Sequence, residues 1–125
     1  MVFLPVVFIN ISDCQQALGM ENGAITDEQI TAYSIWDYNY AASQARLDLK
    51  VNLQWKSGAW VAKKNDVQQW LQVDLGSQYA KVTRVGTQGR DGFNQWVIKY
   101  KLQYGNDEAE LQFYKGRGTN LDKVK

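Results

Sequence analysis

The chain has 125 residues, 45% of them hydrophobic and 13% aromatic, which is the size and composition of one soluble globular domain rich in rings. A net charge of +1 lacks the basic footprint that nucleic-acid binding needs. With no histidine and a single cysteine, Cys14, the chain has no Ser-His-Asp or Cys-His nucleophile, no His-based zinc site and no internal disulfide. The opening Met1-Val2-Phe3-Leu4-Pro5-Val6-Val7-Phe8-Ile9 has the apolar core of a secretion signal. It lacks the basic n-region and the small-residue cleavage site, so residues 1–13 read as an apolar leader, the remnant of a signal. Asn10-Ile11-Ser12 is a glycosylation sequon beside that leader.

Cys14 to Ile25 is mixed, with Gly19 and Gly23 as turn points, and Gln29 to Tyr33 predicts a short strand. Ser34 to Ala41 alternates Trp36, Tyr38 and Tyr40 with loop formers. Ala41 to Leu49 fits a helix, although Arg46-Leu47-Asp48-Leu49 alternates and suits a strand equally well. Lys50 to Lys64 is a basic window containing Trp55 and Trp60, closed by Asp66. Gln69-Trp70-Leu71-Gln72-Val73-Asp74-Leu75-Gly76 then alternates with a period of two: Leu71, Val73 and Leu75 on one face, Gln72 and Asp74 on the other. Tyr79 to Thr87 predicts a strand with a bulge at Arg84-Val85. Gly89 to Asn94 is a loop by composition, and Trp96 to Tyr104 alternates again up to the turn signal Gly105-Asn106-Asp107. Leu111 to Tyr114 starts another strand before Gly116, Gly118 and Asn120 dissolve the pattern. Many short strands separated by turns predict an all-β antiparallel sandwich or barrel.

Several blocks, taken in order, resemble the coagulation factor V/VIII type C domain, also called the discoidin domain. They are Cys14 with Ala17-Leu18-Gly19-Met20-Glu21-Asn22-Gly23, Ile30-Thr31-Ala32, Ala45-Arg46-Leu47, Trp60, Gln69 to Gly76, Thr83 to Arg90, and Tyr100-Lys101-Leu102-Gln103-Tyr104. The resemblance covers residues 14–125 and implies a jelly-roll β-sandwich of the galactose-binding-like class. It also implies an extracellular module, secreted or at the cell surface, that works by recognition and adhesion and is not an enzyme. Members dock on anionic phospholipid headgroups, glycans or protein receptors through projecting loops called spikes. Mapped onto this chain, the first spike is Ser34–Ala41, the second Leu53–Ala59 and the third Arg90–Gln95. The family pattern continues past the equivalent of Lys125 with closing strands and a final cysteine that pairs with the one matching Cys14. The reading for residues 14–125 is therefore an incomplete domain, missing its closing strands and with sheet edges uncovered.

The candidate ligand-binding residues are Trp36, Tyr38 and Tyr40 in the first spike, Trp55 and Lys56 in the second, and Arg90, Asp91, Phe93 and Asn94 in the third. The alternating aromatics of Ser34–Ala41 fit the buried face of a strand as well as a loop tip; the family position favours the loop. Trp60, Trp70 and Trp96 are assigned to core or sheet surface. Arg90, Asp91, Asn94 and Gln95 carry the planar polar groups that would fix sugar hydroxyls. The plainer alternative pairs Arg90 with a neighbouring carboxylate and has Asn94 cap a turn. No cofactor is assigned; calcium has candidate oxygens only near Asp37 or Asp91, and no EF-hand loop is present. The thirteen carboxylates leave a two-carboxylate hydrolase chemically open, but no spacing singles out a pair. Two alternatives stand beside the recognition module: an accessory carbohydrate-binding domain of a larger enzyme, and a non-functional fragment.

Overall fold

The computed structural model describes residues 7–11, 14–52, 57–76, 82–115 and 123–124. Their regular structure is strand and short 3-10 turns, in keeping with an all-β chain. Strands β1 (Val7–Ile11), β2 (Cys14–Ala17) and β5 (Val82–Val85) form an antiparallel sheet in the order β2-β1-β5. Val7–Ile11, within the stretch read as an apolar leader, is the central strand of this sheet. The register slips between Phe8 and Ile9, which face Arg84 and Val82. The bulged residue is thus Thr83, one position before the expected Arg84-Val85.

β3 (Ile30–Ala32) pairs antiparallel with β4 (Leu71–Val73), Ile30 facing Val73 and Ala32 facing Leu71. The ladder continues through the Tyr33 amide, which donates to the Trp70 carbonyl at 3.0 Å. Leu71 is fully buried and packs with Met20, Ile25 and Ile30; Leu18, Ala32, Ala45, Leu47, Trp60, Val73 and Leu75 close round this cluster. The period-two pattern read in Gln69–Gly76 is the pattern the core uses.

The predicted Trp96–Tyr104 strand is realised only in part. It contains β6 (Lys99–Tyr100), paired with β9 (Lys123–Val124), and β7 (Gln103–Tyr104), paired with β8 (Gln112–Phe113). Tyr100 is buried, but Trp96 and Ile98 lie ahead of β6 and are 56% and 66% exposed. Alternation sets which residues share a face, and a face is buried only where another layer covers it. The ambiguous Ala41–Leu49 stretch forms a short 3-10 turn at Ala42–Ala45. Arg46 follows it and binds the Met20 carbonyl at 3.1 Å and Asp27 Oδ1 through Nε at 3.2 Å, tying the core cluster to the turn that precedes β3.

Candidate functional site

The first loop leaves the β3–β4 ladder at Ser34. The Ser34 hydroxyl donates to Gln69 Oε1 at 2.5 Å and accepts from the Lys63 amide at 3.0 Å, while its carbonyl accepts the Trp60 indole N–H at 2.9 Å. Gln69 is buried and its amide nitrogen donates to Asp66 Oδ1 at 3.0 Å, so the 63–69 turn is pinned against the base of the loop. That bond, with a second from the Gln68 amide, holds the Asp66 carboxyl below the usual carboxylate range. Higher up, the Trp36 amide donates to the Val61 carbonyl at 2.7 Å and the Ser57 amide to the Asn39 carbonyl at 3.1 Å. Asp37 caps the 3-10 turn Tyr38–Tyr40 by accepting the Asn39 amide at 2.8 Å.

This scaffold turns Trp36 and Tyr38 outward, 60% and 73% exposed, while Tyr40 is half-buried. Ser34–Ala41 is therefore a loop with exposed aromatic tips, and the strand-face alternative fails. The third loop closes between the Arg90 amide and the Gln95 carbonyl at 2.9 Å and turns at Gly92, whose φ of +75° is costly for a residue with a Cβ. Phe93 stands at its tip, 53% exposed, with exposed Asn94 beside it.

Among the described residues Arg90 pairs with no carboxylate. Its Nη1 donates to Gln95 Oε1 at 2.8 Å and its Nη2 approaches the Tyr40 hydroxyl at 3.4 Å. The guanidinium carbon lies 3.8 Å from the Phe93 ring centre and 5.1 Å from that of Tyr40. The neighbouring acid, Asp91, serves the stretch that leads into the second loop instead. Its Oδ2 accepts the Val51 amide at 3.1 Å and its Oδ1 the Lys50 ammonium at 3.3 Å. The Val51 bond, helped by Lys50, holds the Asp91 carboxyl below its usual range. Gln88 Oε1 adds a bond from the Asp48 amide at 2.9 Å. Gly58 lets the two arms of the second loop close: a Cβ there would sit 2.9 Å from both the Leu49 carbonyl and the Val51 nitrogen. Trp55 and Lys56 lie outside the described residues.

The loops are thus joined by bonds from the first to the second (Asn39–Ser57), from the stretch that leads into the second to the third (Val51–Asp91) and from the third to the first (Arg90–Tyr40). They border a mainly apolar cleft of about 740 Å³, lined by Trp36, Trp60 and Trp96 and by Lys63, Lys64 and Asp66. Sequence reasoning assigned no role to Lys63 and Lys64, which are exposed beside the first loop. Only the contacts of Ser34 across the fold reveal their place. Asp37 and Asp91, the oxygens considered for calcium, are committed to backbone amides and Lys50. Among the described residues no group of three or more His, Cys, Asp or Glu gathers as a metal site.

An all-β scaffold with exposed rings on cross-braced loops at one end defines a recognition module. Residues 29–125 match the F5/8 type C domain, and the chain belongs to that family. It is a discoidin jelly-roll β-sandwich domain, secreted or at the cell surface, and domains of this family are binding modules. It is 38% identical to Rattus norvegicus lactadherin over 115 residues, covering 86% of this chain and 26% of that protein. Identity to Mus musculus retinoschisin is 38% over 121 residues, or 91% of this chain and 52% of the relative. Against Sus scrofa coagulation factor V it is 36% over 120 residues, 91% of this chain and 5% of that protein. The chain thus spans about half or less of each of these relatives.

Proposed function

We propose that the domain docks on membrane surfaces bearing anionic phospholipid, inserting Trp36, Tyr38 and Phe93 while Lys63 and Lys64 meet the headgroups. The observation that carries this is the presence of three exposed rings on loops already fixed to one another. Burying one large apolar side chain is worth about 1.5–3 kcal/mol, so three tips supply roughly 4.5–9 kcal/mol before ordering costs. A lysine near an anionic surface adds about 1 kcal/mol. Such a sum gives modest, salt-sensitive attachment, and stronger binding would come from several domains acting together.

The test is sedimentation with phosphatidylcholine vesicles, with and without phosphatidylserine. Trp36→Ala and Phe93→Ala should each weaken binding to the anionic vesicles by about tenfold or more. Unchanged binding in both variants would remove the loops from the interface. A glycan ligand is the second reading, favoured by the tryptophans, Asn94 and Gln95 that line the cleft. A glycan array run on the same protein separates the two.

A further inference from the structure

We infer that Arg90 is a positioning residue that locks the tips of the first and third loops into one geometry, and not a contact for the ligand's negative charge. This rests on the docking reading above. Arg90 is half-buried and its Nε is fully covered with no acceptor. One Nη is engaged by Gln95 at 2.8 Å, the other faces the Tyr40 hydroxyl at 3.4 Å, and the Phe93 ring lies over the guanidinium at 3.8 Å. These contacts use one N–H on each Nη and one face of the guanidinium, and they fix its plane. They also join residues fifty positions apart, since Tyr40 belongs to the first loop and Phe93 to the third. With Nε covered and both Nη atoms engaged by neutral partners, the group is held in one orientation between the two loops. Its effect on affinity is to hold Phe93 against its own hairpin, and that hairpin against the first loop, before any surface arrives. Pre-ordering of this kind improves binding by lowering the cost of fixing side chains on association. Lysine cannot substitute, because a point charge on a flexible stem cannot stack on one ring while donating in two fixed directions.

The experiment compares Arg90→Lys and Arg90→Gln on vesicles of phosphatidylcholine with phosphatidylserine, with melting curves for each variant. Positioning predicts that both lose roughly three- to tenfold in affinity, since ordering a side chain or two on binding costs that much. The dependence of affinity on salt should stay that of the wild type, and the loss should vanish when Arg90→Gln is made in a Phe93→Ala background. A direct charge contact predicts the opposite on each count: rescue by lysine, a flatter salt dependence in Arg90→Gln, and additivity with Phe93→Ala. Any of these three results overturns the inference. In the free protein, the Arg90 side-chain protons should show an upfield ring-current NMR shift that Phe93→Ala abolishes; its absence also overturns the inference. Should the Arg90 variants fail to fold, Gln95→Ala and Tyr40→Phe take their place in the cycle with Phe93→Ala, and additivity there refutes it. If Trp36→Ala and Phe93→Ala bind as the wild type does, the docking reading itself fails. If they weaken binding while Arg90→Gln does not, only the positioning role fails.

Discussion

Asp91 shows how a single side chain can be read wrongly from its neighbours in the chain. Beside Arg90 and Asn94 it looks like part of a polar set for gripping a ligand, yet its carboxylate accepts the Val51 amide and Lys50 and secures the stretch that leads into the second loop to the third. Its pKa is lowered first by the Val51 hydrogen bond and further by Lys50. A lowered folded-state pKa adds stability that is present above the unfolded value of about 3.9 and is lost as pH falls through the folded value. Asp66 and Glu28, also lowered, act in the same direction. Melting temperature should therefore fall as the solution is acidified below about pH 4, the unfolded carboxylate range. Asp91→Asn, followed by thermal melts across that range, should show a shallower acid dependence than the wild type. An equal slope would mean that the tether contributes nothing.

At the scale of elements, the β3–β4 pair does two jobs. Its inner side carries Ile30 and Leu71 into the core, and its end delivers Ser34 and Gln69 to the base of the first loop. Leu71→Ala, at a site with no exposure, should cost about 2–5 kcal/mol by urea denaturation. A cost under about 1 kcal/mol, the range of a surface substitution, would show that the core is packed elsewhere. The alternation Leu71-Gln72-Val73 announced this strand because a face buried on one side forces a period of two. The same rule misled at Trp96 and Ile98, where the pattern is present and the covering layer is absent among the described residues. The 63–69 turn was illegible for another reason. Its place beside Ser34 depends on side chains 29 and 35 residues apart, and no local pattern encodes such a pair.

For the molecule as a whole, the consequence lies in what the strands leave uncovered. Trp96, Ile98, Tyr104, Phe113 and Tyr114 are all exposed, and among the described residues β6 and β7 each have a single partner strand. Apolar side chains beside open strand edges invite pairing with another chain. Analytical ultracentrifugation of the isolated 125-residue chain should therefore show association that grows with concentration and weakens in low urea. A strictly monomeric protein at all concentrations would mean that these faces are covered in solution. A cooperative melt by circular dichroism would show in addition that this chain is a folded domain and not an inert fragment.

By itself the sequence determined that the chain is all-β, that Leu71, Val73 and Leu75 share one face, and, through blocks such as Gln69–Gly76, which family it belongs to. These properties are written locally: pleat periodicity and turn chemistry act over a few residues, and family blocks keep their order along the chain. Only the tertiary structure decided which aromatic rings are exposed and which residues of distant loops meet. Trp36, Tyr38 and Phe93 are exposed, while Tyr40 and Arg90, drawn from loops fifty residues apart, come within hydrogen-bond reach of each other. The physical reason is that exposure and hydrogen-bond partnership belong to pairs of residues brought together by folding, and a residue's type and spacing do not say which partner it will meet.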